Sequence, residues 1–118
     1  MRRVVTRSTL ILRQKVEPTA ILVGDLILVE VLQGCRTELE LAQTDRLLRR
    51  FDSDEMLGIE MARQAAHNYR RLRQRGITIR SPIDVMIATY CIDRDYELLT
   101  EDRDFQPMAQ HLGLRLIA

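Results

Sequence analysis

The chain has 118 residues, 46% hydrophobic and 30% charged, with a formal net charge of +1. This is the balance of an ordinary globular protein with enough residues for a real core, and it predicts one domain over 1–118. A near-neutral total excludes a wholesale basic or acidic attraction to a polyanion or polycation. No run approaches the ~20 apolar residues of a membrane span, and the apolar start is too short for a signal peptide. Cys35 and Cys91 lie far apart without a CxxC pair, which fits a reduced cytosol better than a disulfide framework or a zinc site, so the protein is expected to be cytoplasmic.

In chain order, "RRVV" or "TLIL" near the start is a candidate first strand, rich in β-branched residues. "QKVEPTA" reads as a loop around Pro18. "DLILVEVLQG" (25–34) permits a strand, but Asp25 as N-cap and Gly34 as C-cap favour a buried helix. "TELELAQTDRLLRRF" (37–51) carries a helical apolar stripe. "EMLGIEMARQAAHNYRRLRQRG" is a longer helix ended by Gly76, with Met61, Ala65, Tyr69 and Leu72 on one face. Ser81 and Pro82 then form a start signal for a helix reaching Ile92. "YELLT" (96–100) is a short strand, "DFQPMAQHLG" a helix capped by Gly113, and "LRLIA" a last strand. Strands alternating with helices predict an α/β fold: a central, mostly parallel sheet flanked by helices in three layers.

Three acidic positions are out of keeping with their surroundings. Asp84 lies in the apolar run "SPIDVMIATY", three residues after Ser81, where an acid completes a capping box. Ala88 and Cys91 on the same helical face are small, however, and leave room for a pocket beside the carboxylate. Glu30 sits in "LILVEVL", where an acid faces either a solvated edge or a cavity. Asp102, with Asp104 two residues on, follows a predicted parallel strand, the place where such sheets form sites; either acid could equally cap the next turn.

Clustered carboxylates raise one another's pKa unless a cation joins them, and an all-oxygen set selects Mg²⁺ or Mn²⁺ over zinc. Of the 18 basic residues, 17 are arginine, and five crowd "YRRLRQRGITIR" (Arg70, Arg71, Arg73, Arg75 and Arg80). They form either a solvated helix face or a phosphate- or partner-contacting rim. His67 and His111 lie on helical patterns away from the acids and read as surface residues. No Gly-rich phosphate loop, GxSxG or HExxH is present.

"GDLILVEVLQG", "GITIRSPIDVMIA" and "LLTEDRDF", in that order and spacing, resemble the PIN-domain ribonucleases of the VapC toxin type. The resemblance covers roughly 20–118. It implies a small α/β domain that cleaves RNA with Mg²⁺ or Mn²⁺, blocked by a cognate antitoxin and paired as a homodimer. It places the metal on Glu30, Asp84 and Asp102, with Asp104 as a fourth catalytic acid, and substrate contacts on Arg80 and Ser81.

The likeness fails at the start. The family opens with a strand ending in an aspartate that is a principal metal ligand, and here "VVTRSTLI" puts Thr6 in that place with Arg7 beside it. The segment before "VGDLIL" is also shortened, and "RRFDSDEM" is compressed where the family has another short strand. A guanidinium from Arg7 could stand in for the cation by pairing with Glu30, Asp84 or Asp102. Two functions are therefore expected: a metal-dependent endoribonuclease toxin, or a degenerate, non-catalytic PIN domain that binds RNA or antitoxin.

Overall fold

Whether a strand of this protein is apolar or polar follows from where it lies in one sheet. The computed structural model describes residues 2–6 and 21–117. In it β1 (Arg3–Val5), β2 (Ile21–Gly24), β3 (Asp52–Asp54), β4 (Glu97–Leu99) and β5 (Arg115–Ile117) all run parallel, in the order β3-β2-β1-β4-β5. Val4, Val5, Ile21, Leu22, Val23, Leu98 and Leu99 are buried, as strands covered by helices on both faces must be. β3, at the edge, is Asp-Ser-Asp and largely exposed. The first strand comes from "RRVV"; the alternative "TLIL" and the "QKVEPTA" loop lie outside the described residues, as does Arg7.

"DLILVEVLQ" is a helix, α1 (Asp25–Gln33), with Gly34 as its C-cap. Its start differs from expectation: Gly24 holds the N-cap position and Asp25 is the first helical residue. The reason is packing. A Cβ at residue 24 would overlap the Met56 side chain, and Asp25 Oδ1 accepts the Met56 N–H at 2.8 Å and the Leu26 N–H at 2.9 Å. Asp25 thus ties α1 to the chain leaving β3.

α2 (Glu38–Leu48) is capped by Thr37, whose Oγ1 accepts the Glu40 N–H at 3.0 Å. α3 (Ile59–Gln74) begins only after Gly58, later than its apolar pattern suggested, and the chain turns at Gly76 with φ +77°. α4 (Pro82–Arg94) starts where Ser81 and Pro82 predict and buries residues almost all round, Val85, Ile87, Ala88, Thr89, Tyr90 and Cys91 among them. A 3₁₀ turn, Arg103–Phe105, leads into α5 (Gln106–Leu112), which Gly113 ends at φ +83°.

β2 and β3 lie on one side of β1, while β4 and β5 lie on the other. The chain therefore changes direction across the sheet between β1 and β4. At such a point the crossovers leave toward opposite faces and open a crevice at the carboxyl ends of the strands. Among the described residues no helix is long and apolar enough to cross a membrane.

Candidate metal centre

Three acids meet at that crevice. Asp84 comes from the first turn of α4, Asp102 from the residues after β4, and Asp104 from the 3₁₀ turn. One carboxylate oxygen of each lies within 4.8 Å of the others. Local chemistry explains how they arrive. Thr100 directly follows β4 and its Oγ1 accepts the Asp102 N–H at 3.1 Å; Asp102 Oδ1 then accepts the Asp104 N–H at 2.9 Å. Asp102 is thus the turn cap that "TEDRD" allowed, and the cap itself swings Asp104 beside it.

Asp84 does not complete a capping box. Ser81 occupies the N-cap position but its side chain makes no cap bond; the Asp84 N–H instead donates to the Ser81 backbone carbonyl at 3.2 Å. The half-buried Asp84 carboxyl is pushed up from 3.8 to about 6. Burial is the main cause, followed by the charges of Asp102, Glu30 and Asp104. Ala88 and Cys91, on the same helix, are both fully buried in the core. Burial also pushes the Cys91 thiol up to about 12, which leaves it inert as a nucleophile.

Glu30 is half-buried on α1. It stands outside the group of three but close enough for its charge to act on Asp84. Arg80 reaches Asp104 from the rim at 3.6 Å with its side chain 84% exposed, a geometry worth little to stability. Ser81 lies at the mouth, one turn before Asp84. His67 is exposed, and His111 is partly buried and meets Arg75; neither joins the acids.

Residues 7–110 match the PIN domain as a protein family. The chain belongs to the PIN-domain family. Its fold is that of several solved complexes at low identity. It aligns with a DNA-bound VapBC from Salmonella typhimurium at TM-score 0.80 and 17% identity, covering 99% of this chain and 97% of that one. VapBC2 from Rickettsia felis, bound to a DNA fragment from its promoter, gives 0.78 and 16%, covering 99% and 98%. VapBC-5 from Mycobacterium tuberculosis, a member of a toxin–antitoxin family, gives 0.73 and 21%, covering 98% and 97%.

At the end of β1, where an acid was expected from the resemblance, the chain places a hydroxyl pair. Thr6 follows β1, is buried, and its Oγ1 donates to Thr100 Oγ1 at 3.0 Å. Its N–H donates to the Leu99 carbonyl at 3.3 Å, which extends the β1–β4 ladder by one step. Sequence alone did not single out Thr100, because a threonine ending a strand is unremarkable until its neighbour across the ladder is also known. β3 is the short strand that "RRFDSDEM" lacked as a pattern; an edge strand of Asp-Ser-Asp has no apolar signal to detect.

The donors suit a hard divalent cation. All are carboxylate oxygens, they converge, and half-buried Asp84 is held toward its neutral form by burial first and by the neighbouring negative charges second, a cost that a cation would offset.

Proposed function

We propose that this PIN domain is a metal-dependent endoribonuclease of the VapC toxin type, acting in the cytoplasm and held in check by a cognate antitoxin. One observation carries the reading: Asp84, Asp102 and Asp104 bring their carboxylates within 4.8 Å of one another at the crevice of a PIN fold.

Asp84, Asp102 and Asp104 would hold Mg²⁺ or Mn²⁺, with Glu30 placed to hold a water or complete the set. When bound, such an ion supplies an ionised water and steadies the leaving oxygen in phosphodiester hydrolysis. The chain's own contributions are positional. The Thr100–Asp102–Asp104 hydrogen bonds fix two of the acids relative to β4. The buried Val85, Ala88 and Cys91 anchor the first turns of α4, and so Asp84, in the core. Arg80, exposed on the rim, can leave Asp104 for a substrate phosphate, and Ser81 offers a hydroxyl beside it.

The antitoxin is suggested by likeness to the VapBC complexes, and the homodimer only by the resemblance to the family. Val29 on α1 and Leu39 on α2, exposed at 59% and 69%, are apolar side chains that a partner could cover.

A second reading is favoured by Thr6. A hydroxyl pair stands where a carboxylate would join the cluster, so the chain could retain the fold and bind RNA or antitoxin without hydrolysis. Thr6→Asp separates the two. On the nuclease reading, Mn²⁺ binding by calorimetry tightens at least tenfold and cleavage of a mixed RNA rises over a parent that is already active. A parent without detectable cleavage in Mn²⁺, converted to an active form by Thr6→Asp, establishes the binding-module reading.

A further inference from the structure

Two neighbouring strands of the sheet each lead directly into a threonine whose side chain is buried. Thr6 follows β1 and Thr100 follows β4, and each is only 6% exposed. The β1–β4 register pairs Val5 with Leu99, and the Thr6 N–H carries the ladder onward to the Leu99 carbonyl at 3.3 Å. Residues level with one another in a ladder put their side chains on one face of the sheet, so the two hydroxyls meet. Thr6 Oγ1 donates to Thr100 Oγ1 at 3.0 Å.

Thr100 is held on several sides. Its N–H donates to the Ile117 carbonyl of β5 at 3.1 Å. Its Oγ1 takes the Thr6 hydroxyl and also the Asp102 N–H, the latter at 3.1 Å. Asp102 Oδ1 in turn accepts the Asp104 N–H at 2.9 Å. A continuous line of hydrogen bonds therefore runs from the end of β1 to two of the three clustered acids. A threonine hydroxyl has more than one rotamer open to it, and the bond from Thr6 helps hold Thr100 in the one that meets Asp102. Without that bond the Asp102 turn hangs from β4 alone.

We propose that Thr6 is a positioning residue for the acid cluster, acting through Thr100 to fix Asp102 and Asp104; its bearing on metal rests on the nuclease reading above. Thr6 brings no charge to the site. It supplies order, and carboxylates already fixed in place lose less freedom when a cation draws them together. An apolar side chain of the same shape fills the space but gives up that order. Affinity for the ion should therefore fall when the hydroxyl is removed and survive when it alone is kept.

The test is calorimetric titration with Mn²⁺, alongside amide exchange measured by NMR on the metal-free protein in EDTA. Thr6→Val keeps the β-branched shape and should weaken Mn²⁺ binding about fivefold, whereas Thr6→Ser should stay within about twofold of the parent. Thr100→Val removes the shared oxygen and should cost about tenfold. Adding Thr6→Val to Thr100→Val should cost nothing further, because the route from Thr6 runs through the oxygen already lost. The Asp102 amide should exchange about threefold faster in Thr6→Val and about tenfold faster in Thr100→Val. Thr89→Val, which removes a buried hydroxyl bonded to the Val85 carbonyl on α4, should leave both readouts within about twofold. Unchanged Mn²⁺ affinity or unchanged Asp102 exchange in Thr6→Val overturns the proposal. So does a Thr6→Val loss that persists beside Thr100→Val, or one that Thr6→Ser shares. If the parent takes up no Mn²⁺, the metal reading falls and the exchange rates alone decide this one. Intact Mn²⁺ effects without any RNA cleavage overturn the nuclease reading and leave the role of Thr6 standing.

Discussion

Two aspartates of this protein respond to the fold in opposite directions. Asp84 is half-buried with acids for neighbours, and burial and their charges push its carboxyl up to about 6. Asp54 ends the edge strand β3. Its Oδ2 accepts the Tyr90 hydroxyl at 2.6 Å and lies 3.4 Å from Arg94. The Tyr90 hydrogen bond, helped by the Glu55 N–H and by Arg94, holds Asp54 below its ordinary value despite some burial. Arg94 also sits over the Tyr90 ring at 5.2 Å. Asp54 is a finished structural contact, satisfied within the chain. Asp84 is unfinished, and what would finish it is a cation from outside.

The largest expected effect separates the two most sharply. Asp84→Asn removes a donor from the cluster, so Mn²⁺-dependent RNA cleavage should fall by at least about 100-fold. The metal-free protein should meanwhile gain stability, about 1 kcal/mol after discounting for solvent screening, because a penalised buried charge disappears. Cleavage rate and thermal unfolding in EDTA check both halves. A variant that loses activity and stability together would mean that Asp84 is a structural contact like Asp54.

Acidification should act on the two sites with opposite sign. Asp84 binds its proton more tightly folded than unfolded, so without metal its contribution to stability grows as pH falls from about 6 toward 4. Asp54, held low, contributes stability that is present above the ordinary carboxylate range and lost as pH drops below it. Mn²⁺ must displace the Asp84 proton, so its affinity should weaken by up to about tenfold per pH unit below 6. Calorimetric titrations at pH 7, 6 and 5 test this; constant affinity would show that Asp84 is not a ligand.

This contrast also marks what could be read from the residues. Asp84, Asp102 and Asp104 were legible because each is an acid out of place locally, in an apolar run or just past a strand. Asp54 was not, since its partners Tyr90 and Arg94 are 36 and 40 residues away, and nothing in "DSDE" suggests a satisfied anion. The alternation of strands and helices was legible from apolar runs and caps, whereas β3 was hidden because an exposed edge strand needs no apolar pattern. The capping box at Ser81 failed for a related reason: spacing places two residues on one turn but does not orient their side chains. Gly24 shows the same limit, for only the approach of Met56 reveals why α1 cannot begin on a larger residue.

Breaking the satisfied site should have a smaller and purely structural effect. Tyr90→Phe removes the hydroxyl that Asp54 accepts, and a hydrogen bond to a charged group of this kind is worth about 1.5 kcal/mol. Denaturant midpoints should fall accordingly while Mn²⁺ affinity stays within twofold of the parent. The buried ring itself keeps its packing, as Phe fills nearly the same volume. Loss of metal affinity would show that the Asp54 contact shapes the acid cluster through α4.

Arg80→Ala should produce the smallest change in stability. Its contact with Asp104 is long, at 3.6 Å, and its side chain is 84% exposed, so unfolding free energy should move by less than about 0.5 kcal/mol. The informative readouts are metal and substrate. Without the guanidinium the acids lose a cation that competes for Asp104, and Mn²⁺ should bind the same or slightly tighter. KM for RNA should meanwhile rise severalfold, because the phosphate loses a rim contact. If Mn²⁺ binding weakens instead, Arg80 holds Asp104 in place, and the rim belongs to the satisfied kind of site that Asp54 represents.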